Sequence, residues 1–253
     1  MNDAGRASQV GRAGTTRPAW YASSPGRIRD WLSVLHLPYT AWHLSYVLIG
    51  AGLAPVLSVQ RLIATLIAFF LAVGVSAHGF DELRGRPLGT SIPSTALAAV
   101  SAVALGGAVA LGIVGIGRVG LGLLGFILVG AFLVVSYNLE IWDGRLHNDA
   151  TFALAWGAFP VLTAYYAEAA TLRPAAFLAA AFAFGLSTAQ RTLSTEARDL
   201  RRRTVSVTGE RTRTDGSTAA LSREALLGPI ERALVALSWS TCALGTALVV
   251  ARA

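Results

Sequence analysis

The chain has 253 residues, 54% of them hydrophobic, and its mean hydropathy is +0.55. Only 14% of the residues are charged, whereas about 25% are charged in a typical soluble domain. These values exclude an ordinary soluble globular protein and predict a polytopic membrane protein. The net charge is +7, and every basic residue other than histidine is an arginine. We expect no nucleic-acid partner from this charge alone.

The N-terminal region differs in composition from the rest of the chain. Residues 1–30 are rich in Gly, Ala, Ser and Arg, which predicts a disordered cytoplasmic tail. The segment from Trp31 to His36 mixes aromatic and aliphatic residues and predicts a short helix at the membrane interface. We expect residues 31–253 to form one transmembrane helical domain.

Apolar segments of about 20 residues, the length that crosses a bilayer as a helix, occur repeatedly along this domain. They show none of the period-two alternation of a membrane β-barrel. The expected fold is therefore an all-α, polytopic transmembrane bundle. Seven segments qualify: 39–58, 62–80, 93–115, 118–138, 150–170, 173–191 and 229–251.

The arginines are distributed unequally between the two sides of this predicted bundle. With the N-terminus placed inside, 17 of the 21 arginines fall in inside segments. The four outside arginines are Arg61, Arg118, Arg173 and Arg252. Basic residues favour the cytoplasmic side, so we expect a multi-pass cell-membrane protein with a cytoplasmic N-terminus.

The first polar cluster lies at the inner end of the second predicted helix. His78, Asp81 and Glu82 follow one another at i, i+3 and i+4, so they share a helical face. Carboxylates and an imidazole at this boundary favour Mg²⁺ and, through it, a diphosphate. Arg84 and Arg86 are placed to contact the same phosphates. A helix end carrying a solvated charge pair is the alternative explanation.

The second and third clusters lie at the inner ends of the fourth and sixth predicted helices. Tyr137, Asn138 and Asp149 belong to a connection that a plain loop would also explain. Glu196 and Asp199 are three residues apart on a continuing helix, amid arginines whose alternative role is to set topology and contact lipid headgroups. Beyond them, residues 205–228 predict a flexible cytoplasmic loop. Ionisable groups near a membrane interior usually face a bundle cavity, so we expect the three clusters to converge.

The arrangement resembles the UbiA superfamily of intramembrane prenyltransferases over roughly residues 30–208. The segment AHGFDELRGRPLGTSIPSTAL is similar to the first Asp-rich motif of the family and to the Arg-Pro-Leu that follows it. SYNLEIWDGRLHNDATFALAWGAFPVLTAYY resembles the family's Tyr-containing loop, and RDLRRRTVSV the end of its second motif. His78 and Gly85 stand where the first motif has Asp, so the chain resembles a divergent member.

The resemblance implies a reaction and a set of residues. A polyprenyl diphosphate would donate its prenyl group to a lipophilic acceptor, with Mg²⁺ neutralising the leaving diphosphate and an apolar chamber excluding water. The implied metal ligands are Asp81, Glu82, Glu196 and Asp199. The implied catalytic residues are Asp81, Asp199 and Tyr137. The implied substrate-binding residues are His78, Arg86, Asn138, Asp149, Arg191 and Arg198.

A second function remains open at this point. A UbiA-like bundle that binds or presents an isoprenoid lipid without turning it over fits the same segments. This function is favoured by the smaller number of carboxylates in the segments that resemble the Asp-rich motifs. A small transporter lacks support, because no predicted helix centre holds the charged residue that ion coupling requires.

Overall fold

A computed structural model describes residues 26–252, which are mostly helical. The α-helices of this part of the chain are α1 (Arg27–Val34), α2 (Leu37–Leu53), α3 (Val59–Phe69), α4 (His78–Leu83), α5 (Ser94–Val119), α6 (Leu123–Asn138), α7 (Asp149–Ala153), α8 (Phe159–Ala169), α9 (Pro174–Arg202) and α10 (Arg223–Val250). A π-helical segment, Phe70–Ala77, joins α3 to α4, and a second, Leu154–Ala158, joins α7 to α8.

Three helical stretches of the described residues are long and apolar enough to cross a membrane: Val59–Leu83, Ser94–Val119 and Arg223–Val250. The first consists of α3, the π-helical segment that follows it, and α4. Leu123–Asn138 is apolar but shorter. Large apolar side chains cover the outer surface of these helices, as Val103 on α5 and Trp239 on α10 show with exposed fractions of 75% and 72%. Such a surface is typical of helices that face lipid, and it agrees with the all-helical membrane class expected from the composition.

Each of the seven predicted apolar segments is largely helical, but residues 54–58 and 120–122 are not, and the ends of some elements differ from the prediction. Helix α1 begins at Arg27, inside the predicted tail; the rest of that tail, residues 1–25, lies outside the described residues. Asp30 explains the difference, because its carboxylate accepts hydrogen bonds from the backbone N–H and the hydroxyl of Ser91, at 3.0 and 2.6 Å. These bonds tie α1 to the bundle and lower the pKa of Asp30.

The predicted loop at 205–228 also contains regular structure. A two-stranded antiparallel hairpin pairs β1 (Glu210–Thr212) with β2 (Thr218–Ala220). Helix α10 then begins at Arg223, earlier than predicted, because the Ser222 hydroxyl accepts a hydrogen bond from Ala225 N–H and caps the helix.

Helix α2 lies at the centre of the bundle and packs closely on its neighbours. A Cβ atom on Gly50 would overlap the carbonyl oxygen of Val161 on α8, and Gly245 of α10 approaches Ser45 of α2 in the same way. Small residues allow such close approach of helices in lipid. The fully buried Trp42 donates to the Tyr46 hydroxyl at 2.7 Å, which fixes both rings inside the bundle.

Charged side chains gather at the two ends of the bundle and connect different helices there. At one end the contacts are Arg61 to the carbonyls of Glu168 and Arg118, and Arg252 to the carbonyl of Pro55. At the other end they are Arg84 with Glu140, Arg191 with Asp149, and Arg201 with Glu231.

Candidate functional site

A polar cavity of about 150 Å³ lies at the end of the bundle where α4, α6 and α9 finish. We call it the polar chamber. Six side chains that line it are His36, His78, Asp81, Tyr137, Arg191 and Arg198. Five of these six were predicted as site residues, and Asn138 lines the chamber as well. Three segments far apart in the sequence therefore contribute side chains to one cavity.

All four histidines of the chain line this chamber, although they are separated by up to 111 residues in sequence (His36 to His147). The rings of His36 and His78 stack with centroids 4.4 Å apart, and the His147 ring stacks on Tyr137 at the same distance. Two helices and two connections between helices therefore bring imidazole side chains into one cavity.

Backbone carbonyls fix the protonation of three of these rings. The Nδ1 atoms of His43, His78 and His147 lie 2.9, 3.3 and 3.1 Å from the carbonyl oxygens of Trp156, Gly74 and Tyr137. A carbonyl oxygen only accepts, so Nδ1 carries the proton in each ring. In the neutral rings of His43 and His147, Nε2 is then an acceptor for a further partner, whereas His78 also forms a backbone hydrogen bond with Leu35.

Two buried polar atoms in the chamber lack a hydrogen-bond partner among the described residues: the Tyr137 hydroxyl and the Gln190 Oε1. Both side chains are only 3% exposed. A buried polar group left without a partner costs about 1–3 kcal/mol. An ordered water or a polar group of a ligand would satisfy these two atoms.

Helix α9 supplies the cationic wall of the chamber. Arg191 donates from Nε to Asp149 Oδ1 at 2.9 Å and lies over the Phe152 ring, 5.1 Å from its centroid. Burial lowers the pKa of Arg198, and the charges of Arg191 and Arg202 lower it further. Cations that are partly desolvated and close to one another are stabilised by an anion. The wall is suited to a phosphate or diphosphate group.

Asp81 interacts electrostatically with Arg191, Arg198 and His147 across the chamber. It is half-buried and forms no ion pair within 4 Å with any described residue. Its neighbours Glu82 and Arg86, by contrast, belong to the turn that follows α4. Glu82 accepts hydrogen bonds from Leu88 N–H and from Thr90, and Arg86 donates to the carbonyl of Ile92 at 2.6 Å. Neither lines the chamber, so their expected contact with a metal or a diphosphate is not seen.

Glu196 and Asp199 lie outside the chamber and are exposed to solvent. Their placement follows from helical geometry. The α9 residues that line the chamber are Gln190, Arg191, Ser194, Ala197, Arg198, Arg201 and Arg202. At about 100° per residue they cover a sector of about 140° around the helix, and positions 196 and 199 fall outside it. The expectation that carboxylates from both ends meet is therefore wrong for these two residues.

The predicted Mg²⁺ ligands do not fit a magnesium site. Mg²⁺ binds through carboxylates and other oxygens in a near-octahedral arrangement. Of the four predicted ligands only Asp81 lines the chamber; Glu82 is fully engaged by the turn, and the other two are exposed. Among residues 26–252 no three His, Cys, Asp or Glu side chains come together as a metal-binding group. We derive no chemical step through Mg²⁺.

Asp149, a predicted substrate-binding residue, does not line the polar chamber. Its largely exposed carboxylate pairs with Arg191, which does. Other lining residues were not among the predicted ones: His36, His43, His147, Gln190, Arg201 and Glu231. A signal for the histidines was present in the sequence, because His36 and His43 are seven residues apart, two helical turns, and all four lie near predicted inner helix ends.

A second cavity, of about 230 Å³, lies beside the polar chamber and is mostly apolar. We call it the apolar chamber; α3, α5, α6 and α8 line it with residues such as Ala68, Leu105 and Phe159. Val73 and Trp156 line both chambers. Each belongs to one of the two π-helical segments, and π-helical turns often mark functional sites. The two chambers therefore adjoin at the π-helical segments.

A scan against protein-family models finds no match to this chain, and neither a search of curated proteins nor one of solved structures finds a significant match.

Proposed function

We propose that this protein binds an isoprenoid lipid with a phosphate or diphosphate headgroup, the headgroup in the polar chamber and the tail in the apolar chamber. The observation that carries the proposal is the sharing of Val73 and Trp156 by a cationic cavity and an apolar cavity. A ligand that fills both must be anionic at one end and hydrocarbon at the other. The resemblance to UbiA prenyltransferases favours an isoprenoid tail.

The proposed setting is a multi-pass cell-membrane protein with seven crossings and a cytoplasmic N-terminus. The contacts at the two ends of the bundle support it, since Arg61, Arg118 and Arg252 meet at one end, and Arg84, Arg191 and Arg201 lie at the other. This is the alternation that seven successive crossings require. The positive-inside bias then assigns the polar chamber to the cytoplasmic side.

Prenyl transfer is the second candidate function, and the position of Asp81 favours it. The carbon–oxygen bond of a prenyl diphosphate would break, and the bonding electrons would leave with the diphosphate, which Arg191 and Arg198 stabilise. The acceptor would form the new bond to the allylic carbon and lose its proton to Asp81. Two carboxylates among the described residues line the chamber, Asp81 and Glu231, and Glu231 is paired with Arg201 whereas Asp81 is not paired with an arginine.

Binding in lipid nanodiscs tests the first function. We would measure the affinity of an isoprenyl monophosphate, its diphosphate, the matching isoprenol and phosphatidic acid. We expect both phosphorylated isoprenoids to bind more tightly than the isoprenol and the phosphatidic acid, and we expect Arg198→Ala to weaken them about tenfold. Arg203→Ala is the matched control, because Arg203 directly follows the same helix, is exposed and lies outside the chamber. Equal affinity for all four lipids would contradict the proposal.

Pyrophosphate release tests the second function in the same preparation. We would incubate the protein with prenyl diphosphates and extracted lipids, with and without Mg²⁺. Release that Asp81→Asn abolishes would support transfer. Tight binding with no release under either condition would leave lipid binding as the function and exclude transfer of the prenyl donors tested.

A further inference from the structure

Three alanines form a row along the wall of the apolar chamber. Ala64, Ala68 and Ala72 follow one another at four-residue intervals, and all three line the cavity. Four residues of a helix advance about 6 Å, so the row marks three depths. The small side chains leave space that a leucine at the same position would fill.

The lining residues also give the depth of the chamber. On the helix that contains the alanine row they run from Gln60 to Val73, and on α5 from Leu105 to Val119. At about 1.5 Å per residue both runs cover about 20 Å. The two helices thus give the same length independently.

One end of the apolar chamber adjoins the polar chamber, and Arg61 lines the other. Its guanidinium donates to the carbonyl oxygens of Glu168 and Arg118, at 2.9 and 3.0 Å, and so connects three helices. Arg118 in turn donates to Gln60 Oε1 at 3.1 Å. A hydrocarbon chain that passed this layer would have to break these bonds or bury their polar groups.

We propose that the apolar chamber limits the length of the bound tail, with Ala64, Ala68 and Ala72 as the specificity-determining positions. An extended carbon chain advances about 1.2 Å per bond, so roughly 20 Å holds about 16 bonds, or four isoprene units. The inference rests on the proposed function, that the lipid tail enters this chamber. It adds the class of ligand: a short-chain isoprenyl phosphate with about four units.

A length series of isoprenyl monophosphates tests this limit. We would measure the affinities of ligands with two, four and six or more units for the full-length protein in nanodiscs. For the unsubstituted protein we expect the affinity to rise from two to four units and to rise no further at six. A two-unit tail reaches about 10 Å and stops short of Ala64. Ala64→Leu therefore weakens the four-unit ligand about tenfold and leaves the two-unit ligand unchanged.

Two further variants complete the design. Ala72→Leu lies beside the junction of the chambers and weakens both ligands. Ala181→Leu, an exposed position on α9 outside both chambers, changes neither. Retained binding of the two-unit ligand shows that Ala64→Leu is folded, and Ala64→Val is a milder replacement if it is not.

The results separate this inference from the proposed function. If the protein binds isoprenyl phosphates but Ala64→Leu affects two-unit and four-unit ligands equally, or neither, the length limit is wrong and lipid binding stands. If affinity keeps rising beyond four units, the limit is also wrong. If the unsubstituted protein binds no isoprenyl phosphate, both proposals are wrong.

Discussion

Asp81 and Glu82 are consecutive carboxylates on α4 with opposite surroundings. Glu82 is 1% exposed and accepts three hydrogen bonds from Leu88 and Thr90, at 2.8 to 2.9 Å. Asp81 lines the polar chamber among Arg191, Arg198 and His147. Because adjacent helical residues differ in direction by about 100°, one carboxylate stabilises the turn after α4 while the other lies where a ligand would bind.

Substitution of these two residues should separate stability from binding. Glu82→Gln places an amide donor against a backbone donor, and each lost hydrogen bond to a buried charge is worth about 1.5–3 kcal/mol. We expect its melting temperature in detergent to fall by several degrees. Asp81→Asn should leave the melting temperature nearly unchanged and strengthen phosphate binding, because it removes a negative charge from the chamber. A lower melting temperature in Asp81→Asn together with stronger phosphate binding in Glu82→Gln would contradict these roles.

The pair of Arg191 and Asp149 offers a test in which two substitutions act in opposite directions. Arg191→Ala removes a cation from the chamber wall, so we expect the affinity for an isoprenyl phosphate to fall about tenfold. Asp149→Asn removes the exposed carboxylate that holds Arg191 at 2.9 Å, and we expect the affinity to rise or stay constant. Titrations at two salt concentrations measure both. A loss of affinity in Asp149→Asn as large as that in Arg191→Ala would mean that the pair is needed for structure and not for ligand binding.

The stability of the protein should fall in mild acid, with His36 as one cause. Burial lowers the pKa of His36 well below its ordinary value, and the charges of His78, Arg202 and Arg198 lower it further. The unfolded chain then binds more protons than the folded one as the pH drops through about 6.5. The free energy of unfolding is therefore fully retained above this pH and decreases below it.

Melting temperatures between pH 8 and pH 5 measure this effect. We expect His36→Gln to flatten the decline relative to the unsubstituted protein. A bound phosphate lipid should reduce the decline as well, because an anion raises the pKa of His36. An unchanged pH profile in His36→Gln would show that other groups cause the acid sensitivity.

Close helix packing predicts a difference between two glycines. Gly50→Ala forces α2 and α8 apart, since the new Cβ atom would overlap the carbonyl oxygen of Val161. Overpacking of this kind costs about 1–3 kcal/mol, so we expect a clearly lower melting temperature. Gly106→Ala on α5 is the matched control, because no atom lies within 4 Å of its new Cβ. Equal melting temperatures for the two variants would contradict the packing of α2 on α8.

The positions of the helices were predictable from the sequence, whereas two aspects of the site were not. Apolar runs of about 20 residues located α5 and α6 to within a few residues, because hydrophobicity alone marks such helices. The π-helical segments carry no comparable sequence signal, and they hold Val73 and Trp156, which line both chambers. The adjoining apolar chamber could not be predicted either, because apolar residues that line a cavity look the same in the sequence as apolar residues that face lipid or pack in the core.

The error at Glu196 and Asp199 has a different cause. The helix was predicted correctly, but Glu196 and Asp199 lie on a different face of it from Arg191 and Arg198. At about 100° per residue, Asp199 falls about 60° beyond Arg202, the last lining residue on that side of the helix, and is therefore outside the chamber. Proximity in sequence to a basic cluster was therefore a poor guide to a shared site, whereas helical periodicity separates the two faces.

The structure of the protein bound to a four-unit isoprenyl monophosphate in a nanodisc, determined by cryo-electron microscopy, tests the central claim most directly. We predict density for the phosphate beside Arg191 and Arg198, and for the tail along Ala72, Ala68 and Ala64 as far as Arg61. A phosphate bound elsewhere, or a tail on the outer surface of the helices with no density in either chamber, would contradict it.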